Sequence, residues 1–164
     1  MDGLVRLVAS ASPEQLPLMP LPAAWLWHAA ESGHAAAHCV DARLTVHFAL
    51  AGYGFESEVQ AVGVAIVSDS GDDIIGLSPR FNSDGTFNGH AIVVVPAAGR
   101  LIDPTVQQFP TAPPTVRATL PVVAGLPSEG TLGEELFAVV RDEYTVGYWP
   151  LAEPERYAWR GPAY

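Results

Sequence analysis

A chain of 164 residues with 49% hydrophobic and 16% charged side chains can bury one good core and is short for two, so a single domain over residues 1–164 is expected. Eight Lys and Arg stand against 18 Asp and Glu for a net charge of −10, and no basic cluster with interleaved aromatics interrupts that field, which speaks against a nucleic-acid partner. No run approaches the roughly 18 uninterrupted apolar residues of a spanning helix, and MDGLVRLVASASPEQ lacks the apolar centre of an export signal. The expectation is no membrane partner and a cytoplasmic location, which suits a chain whose one cysteine, Cys39, has no intramolecular partner for a disulfide.

In chain order, the three prolines of Leu16–Pro22 exclude a regular helix. Pro22 then suits the first turn of a helix reaching about Ser32, which Gly33 ends. From Cys39 to about Ala51, Val40, Leu44, Phe48 and Ala51 recur at three- and four-residue spacing with Val46 and Leu50 beside them. Asp41, Arg43 and Thr45 fall elsewhere, so the segment reads as an amphipathic helix closed by Gly52 and Gly54. Ser57–Ser68 reads as a mostly buried strand running into a turn-rich acidic stretch. Gly89–Pro96 and Arg100 to about Val106 read as a hairpin around Pro96-Ala97-Ala98-Gly99, and Leu136–Arg141 with Tyr144–Trp149 as a second. The proline-rich stretches Phe109–Pro114 and Pro121–Pro127 read as surface connections, and the last residues as an aromatic tail. Helices first and strands later give an α+β fold.

Cys39 opens its helix, where unpaired backbone N–H groups and the positive end of the helix dipole favour thiolate. A thiol nucleophile needs a base, and the base needs a partner that fixes its tautomer. The first hairpin supplies both. If Pro96 pairs with Gly99, paired positions sum to 195; residues 90, 92, 103 and 105 then share a face, and His90 and Asp103 become diagonal neighbours with Cβ atoms roughly 7–8 Å apart. A turn one residue longer would put them on opposite faces.

Read together, HCVDARLTVHFALAGYGFESEVQAVGV, NGHAIVVV and GRLIDPTVQQF resemble the Cys, His, Asp core of papain-like and transglutaminase-like cysteine enzymes. More narrowly, they are similar to uncharacterised actinobacterial and phage-type proteins with a "GH" strand followed by a "LID-T-QF" strand. The resemblance spans about Gly33 to Phe109. It implies N-terminal helices, a nucleophile helix packed on an antiparallel β-sheet, and a triad of Cys39 as nucleophile, His90 as base and then acid, and Asp103 as the orienting acid. The Cys39 backbone N–H is the natural first oxyanion donor; His34, His38, Trp25 and Asn88 are candidates for the second. Where many transglutaminase-like proteins carry an aromatic soon after the histidine, this chain has Ala91, Ile92 and Val93. The implied reaction is attack on an amide, isopeptide or ester carbonyl of a protein, a peptide or a small amide-containing molecule, with no cofactor. The alternative is a catalytically inactive scaffold that binds protein or peptide in its cleft.

Blander readings accompany each residue. A single cysteine is often a small buried hydrophobe, His90 can be a satisfied polar residue at a strand start, and Asp103 before Pro104 can shape a turn. His34, His38, Cys39 and His47 invite zinc, but nothing completes a ligand set, so no metal is assigned. Asp69 to Asp73 lacks the oxygen-ligand pattern of an EF-hand and reads as a solvated turn. Trp25, Trp27, Trp149 and Trp159 are core or interface material before they are a substrate cleft. Gln107 and Gln108 have no assigned chemistry, and Phe109 is expected to pack into the core.

Overall fold

The computed structural model describes residues 12, 18, 39–69, 71–75, 80–81, 83, 87–105, 122–126, 137–140 and 144–151. The expected helix ending near Ser32, the Gln107 to Phe109 segment and the C-terminal tail lie outside them.

Among the described residues there is one α-helix, α1 (Cys39–Gly52), and an antiparallel sheet, so the class is α+β. The end of α1 follows from its glycines. Gly54 takes a left-handed φ of 82° that other residues resist. This lets the Gly54 N–H reach the Ala51 carbonyl (2.9 Å) and the Phe55 N–H reach back to Leu50 (3.0 Å), a Schellman closure. Phe55 packs in the same apolar cluster as Leu50, the contact that normally accompanies this closure.

The spine of the sheet is β1 (Glu58–Ser68). One edge pairs with β9 (Tyr144–Pro150) over Val62–Ser68. The other edge is shared: β5 (His90–Val95) takes Glu58–Val62, and β2 (Gly71–Ile75) takes Val64–Ser68. His90 pairs with Val62 and Ile75 with Val64, so the sheet splits at Gly63, beside the first residue of β5. Beyond β5 lie β6 (Arg100–Asp103) and β7 (Val122–Gly125), and beyond β9 lies β8 (Phe137–Val140), giving the order β7-β6-β5-β1-β9-β8. A separate two-residue ladder joins β3 (Arg80–Phe81) to β4 (Phe87–Asn88).

Strand alternation sorts the core into two clusters. Val62, Val64, Ile66, Ile92, Val94, Leu101, Val139, Tyr144, Val146 and Tyr148 fill one face. On the other face Val93, Val95 and Ile102 are covered by Val46 and Leu50 of α1. With both faces covered, all six residues of β5 are buried. The β5–β6 hairpin has the register expected from the sequence, Val93 with Ile102 and Val95 with Arg100. A 3-10 turn over Pro96–Ala98 and a left-handed Gly99 (φ 56°) connect the two strands.

Three expectations change. The buried stripe of α1 is Ala42, Arg43, Val46 and Leu50 while Phe48 is 60% exposed; the helix is rotated from the expected stripe because an arginine occupies a core position. The acidic stretch keeps an exposed turn at Asp69 but enters β2 from Gly71, because β1 outruns β5 and offers unpaired backbone there. Val122–Gly125 is a strand rather than a connection, since at a sheet edge flanking prolines remove hydrogen-bond donors only at their own positions.

Gly63 pairs with Trp149 across β1 and β9, and a Cβ added there would overlap the indole. Gly63→Ala is therefore expected to lose about 1–3 kcal/mol of stability, read by urea denaturation, with a red shift in tryptophan emission as the ring is displaced.

Candidate functional site

The polar residues buried in this apolar molecule converge. Among the described residues, Arg43, His90, Asp103 and Thr105 are the fully buried polar or charged side chains. His90 is the first residue of β5 and Asp103 the last of β6. His90 alternates with Ile92 and Val94, and Asp103 with Leu101, so both belong to the cluster face opposite the one that Val46 and Leu50 cover. The His90 Nε2 to Asp103 Oδ2 distance is 2.8 Å, which is the diagonal contact that the 195 register allows.

Asp103 is held from three sides. Besides His90, the Tyr148 hydroxyl donates to Oδ2 at 3.0 Å and the Thr105 backbone N–H donates to Oδ1 at 3.0 Å. The Thr105 contact is an Asx turn across Pro104. Tyr148 sits on β9, three strand spacings from β6, about 14 Å away on a flat sheet. One hydrogen bond bridges that span, so the sheet curls toward a barrel with His90, Asp103 and Tyr148 on its concave side.

Arg43, on α1, is buried as well. Its charge acts on both His90 and Asp103, yet its Nε and both Nη atoms find no hydrogen-bond partner among the described residues, and neither does the Thr105 hydroxyl. Cys39 opens α1 four residues before Arg43, one helical turn away, and its backbone N–H is among the first-turn donors without an intrahelical acceptor.

Burial, reinforced by the Arg43 charge, lowers the His90 pKa against the opposing pull of Asp103. Burial alone would push the Asp103 carboxyl up, but the adjacent His90 ring, the Arg43 guanidinium and the Thr105 amide hold it below the ordinary carboxylate range. The favoured charge state is thus a neutral imidazole beside a carboxylate, with the charge of the buried Arg43 acting on both. Since a carboxylate only accepts, Nε2 carries the ring proton and Nδ1 is the basic nitrogen.

These directions fix a pH dependence. Below about pH 6.5, the ordinary histidine value, the unfolded chain takes up a proton that folded His90 refuses. The stability present above that pH declines as pH falls, by up to about 1.4 kcal/mol per pH unit. Asp103 adds a second loss below about pH 3.8, its ordinary value, as pH falls through its lower folded value. Thermal melts between pH 7 and pH 5 should show a shallower decline for His90→Gln than for the unsubstituted protein.

The other candidates separate. Asn88 is exposed at the end of β4. His47 Nδ1 is hydrogen-bonded to Ser57 at 2.9 Å, and its ring packs against Phe48 with centroids 5.3 Å apart. His47 and Ser57 line an open cavity of about 560 Å³ with Phe55, Glu56, Glu58 and Pro96. His34, His38, Trp25 and Trp27 lie outside the described residues. Among the described residues no cluster of three His, Cys, Asp or Glu could hold a metal ion, and no helix is long and apolar enough to cross a membrane.

Two members of the site are not evident in the sequence. Arg43 falls on the expected polar face of α1, where charge marks exposure, although its i+4 spacing from Cys39 is legible. Tyr148 falls on an expected strand, but nothing local shows that the sheet curls enough to bring it to Asp103. Compared with known proteins, the chain matches no family model, no curated protein and no solved structure.

Proposed function

We propose that this protein is a thiol-dependent acyl-transfer enzyme of papain-like or transglutaminase-like architecture, with Cys39 as nucleophile, His90 as general base and Asp103 as the residue that orients it. The observation carrying this reading is the 2.8 Å contact between His90 Nε2 and Asp103, which fixes the tautomer that leaves Nδ1 as proton acceptor. The position of Cys39 as the first residue of α1 supports a low thiol pKa.

In this reading Nδ1 takes the thiol proton as sulfur attacks a carbonyl carbon. The Cys39 N–H donates to the developing oxyanion. The imidazolium then passes its proton to the departing amine or alcohol, leaving a thioester on Cys39. Water or an amine, deprotonated by His90, attacks the thioester and restores the thiol. Substrates are proteins, peptides or small molecules bearing an amide, isopeptide or ester bond, hydrolysis is the default outcome, and no cofactor takes part.

Incubation with activated acyl esters, followed by intact-mass measurement, tests this reading. A transient adduct of the acyl mass on Cys39, absent in Cys39→Ala, supports it; an unmodified protein and no ester turnover refute it. A second reading, a papain-like scaffold without catalysis that binds protein or peptide, is favoured by the enclosure of His90 and Asp103 and by the open cavity lying instead at His47 and Ser57. That reading predicts no adduct.

A further inference from the structure

We propose that Arg43 and the Thr105 hydroxyl form a receptor for a carboxylate group. Arg43 and Thr105 are both 0% exposed, yet all three guanidinium nitrogens and the hydroxyl oxygen find no hydrogen-bond partner among the described residues. A buried guanidinium presents five N–H donors in a rigid fork, and leaving such donors without acceptors is costly enough that each case calls for an occupant. Asp103 does not supply the acceptors: Oδ2 takes the Tyr148 hydroxyl and contacts His90 Nε2, and Oδ1 takes the Thr105 amide.

Shape and charge select the occupant. A planar carboxylate accepts two parallel hydrogen bonds from one guanidinium and can accept a third from a hydroxyl. The site already holds the Asp103 carboxylate, so a monoanion leaves one net negative charge with Arg43 present. A phosphate dianion would leave two in a buried setting, where uncompensated charge is expensive. The receptor therefore prefers carboxylate to phosphate. As an anion site it stands without any reaction at Cys39; as the anchor for a substrate's carboxylate it rests on the acyl-transfer reading above.

The test is thermal denaturation at constant pH and ionic strength with acetate, inorganic phosphate or chloride, applied to the unsubstituted protein and to Cys39→Ala, Arg43→Met, Arg43→Lys and Thr105→Val. Acetate should raise the midpoint saturably in the unsubstituted protein and equally in Cys39→Ala, by about 3–6 °C at ten times its dissociation constant. The rise should vanish in Arg43→Met and weaken in Arg43→Lys and Thr105→Val, with chloride inert and phosphate weaker than acetate. Should Arg43→Met fail to fold, Thr105→Val carries the comparison, since it removes only a hydroxyl. No acetate effect beyond chloride, an effect unchanged in Thr105→Val and Arg43→Lys, or phosphate outranking acetate would overturn the proposal. An acetate rise in a protein that forms no acyl adduct refutes the acyl-transfer reading alone.

Discussion

Asp103→Ala is expected to destabilise the protein by about 2–5 kcal/mol, since each buried donor left without its acceptor costs about 1–3 kcal/mol and two lose theirs here. The substitution strips two donors, the Tyr148 hydroxyl and the Thr105 amide, of this acceptor, removes the His90 contact, and takes away the negative charge on which the buried Arg43 acts. Against the usual domain stability of about 5–15 kcal/mol, that is a large fraction. The mechanism has a signature beyond the size of the loss. Because the buried Arg43 also loses a negative charge that it acts on, Arg43→Met should recover part of the loss in the Asp103→Ala background while destabilising an otherwise unsubstituted chain. A double-mutant cycle by urea denaturation should then give a coupling of about 0.5–3 kcal/mol. A loss below about 1 kcal/mol for Asp103→Ala, or strict additivity with Arg43→Met, would show that the network is incidental to the fold.

The second large effect is kinetic and rests on the proposed function. Against an activated ester, Cys39→Ala and His90→Ala should each lower turnover by about three orders of magnitude or more, and the double variant should be no worse than either single one, because nucleophile and base act as a unit. Asp103→Asn should lower kcat with KM little changed, since it acts on the tautomer and orientation of His90 rather than on substrate. Independent, additive losses would argue against a shared proton transfer between Cys39 and His90.

Much of the frame was legible in the sequence because short-range chemistry dictates it. The glycines after Ala51 specify where α1 stops, and the short connection between Val95 and Arg100 specifies the register that makes His90 and Asp103 diagonal neighbours. The remainder depends on long-range geometry. β2 exists because β1 runs past the end of β5, a matter of relative strand length that no local window contains. Tyr148 reaches Asp103 only because the sheet curls, and sheet curvature is a property of all the strands together. Arg43 escapes the pattern for a different reason: hydrophobic periodicity treats charge as a marker of solvent, and this guanidinium is buried. A polar residue one turn from a candidate nucleophile, on a helix whose other core positions are Ala42, Val46 and Leu50, is the pattern that would have exposed it.

The most direct test of the acyl-transfer reading is the rate of Cys39 alkylation by iodoacetamide as a function of pH, in the unsubstituted protein and in His90→Ala. With one cysteine in the chain, every adduct reports on the same sulfur. A half-maximal rate well below the ordinary thiol value of about 8.5, moving back toward it in His90→Ala, is the expected result. A profile centred near 8.5 and identical in the two proteins would contradict a thiol activated by His90.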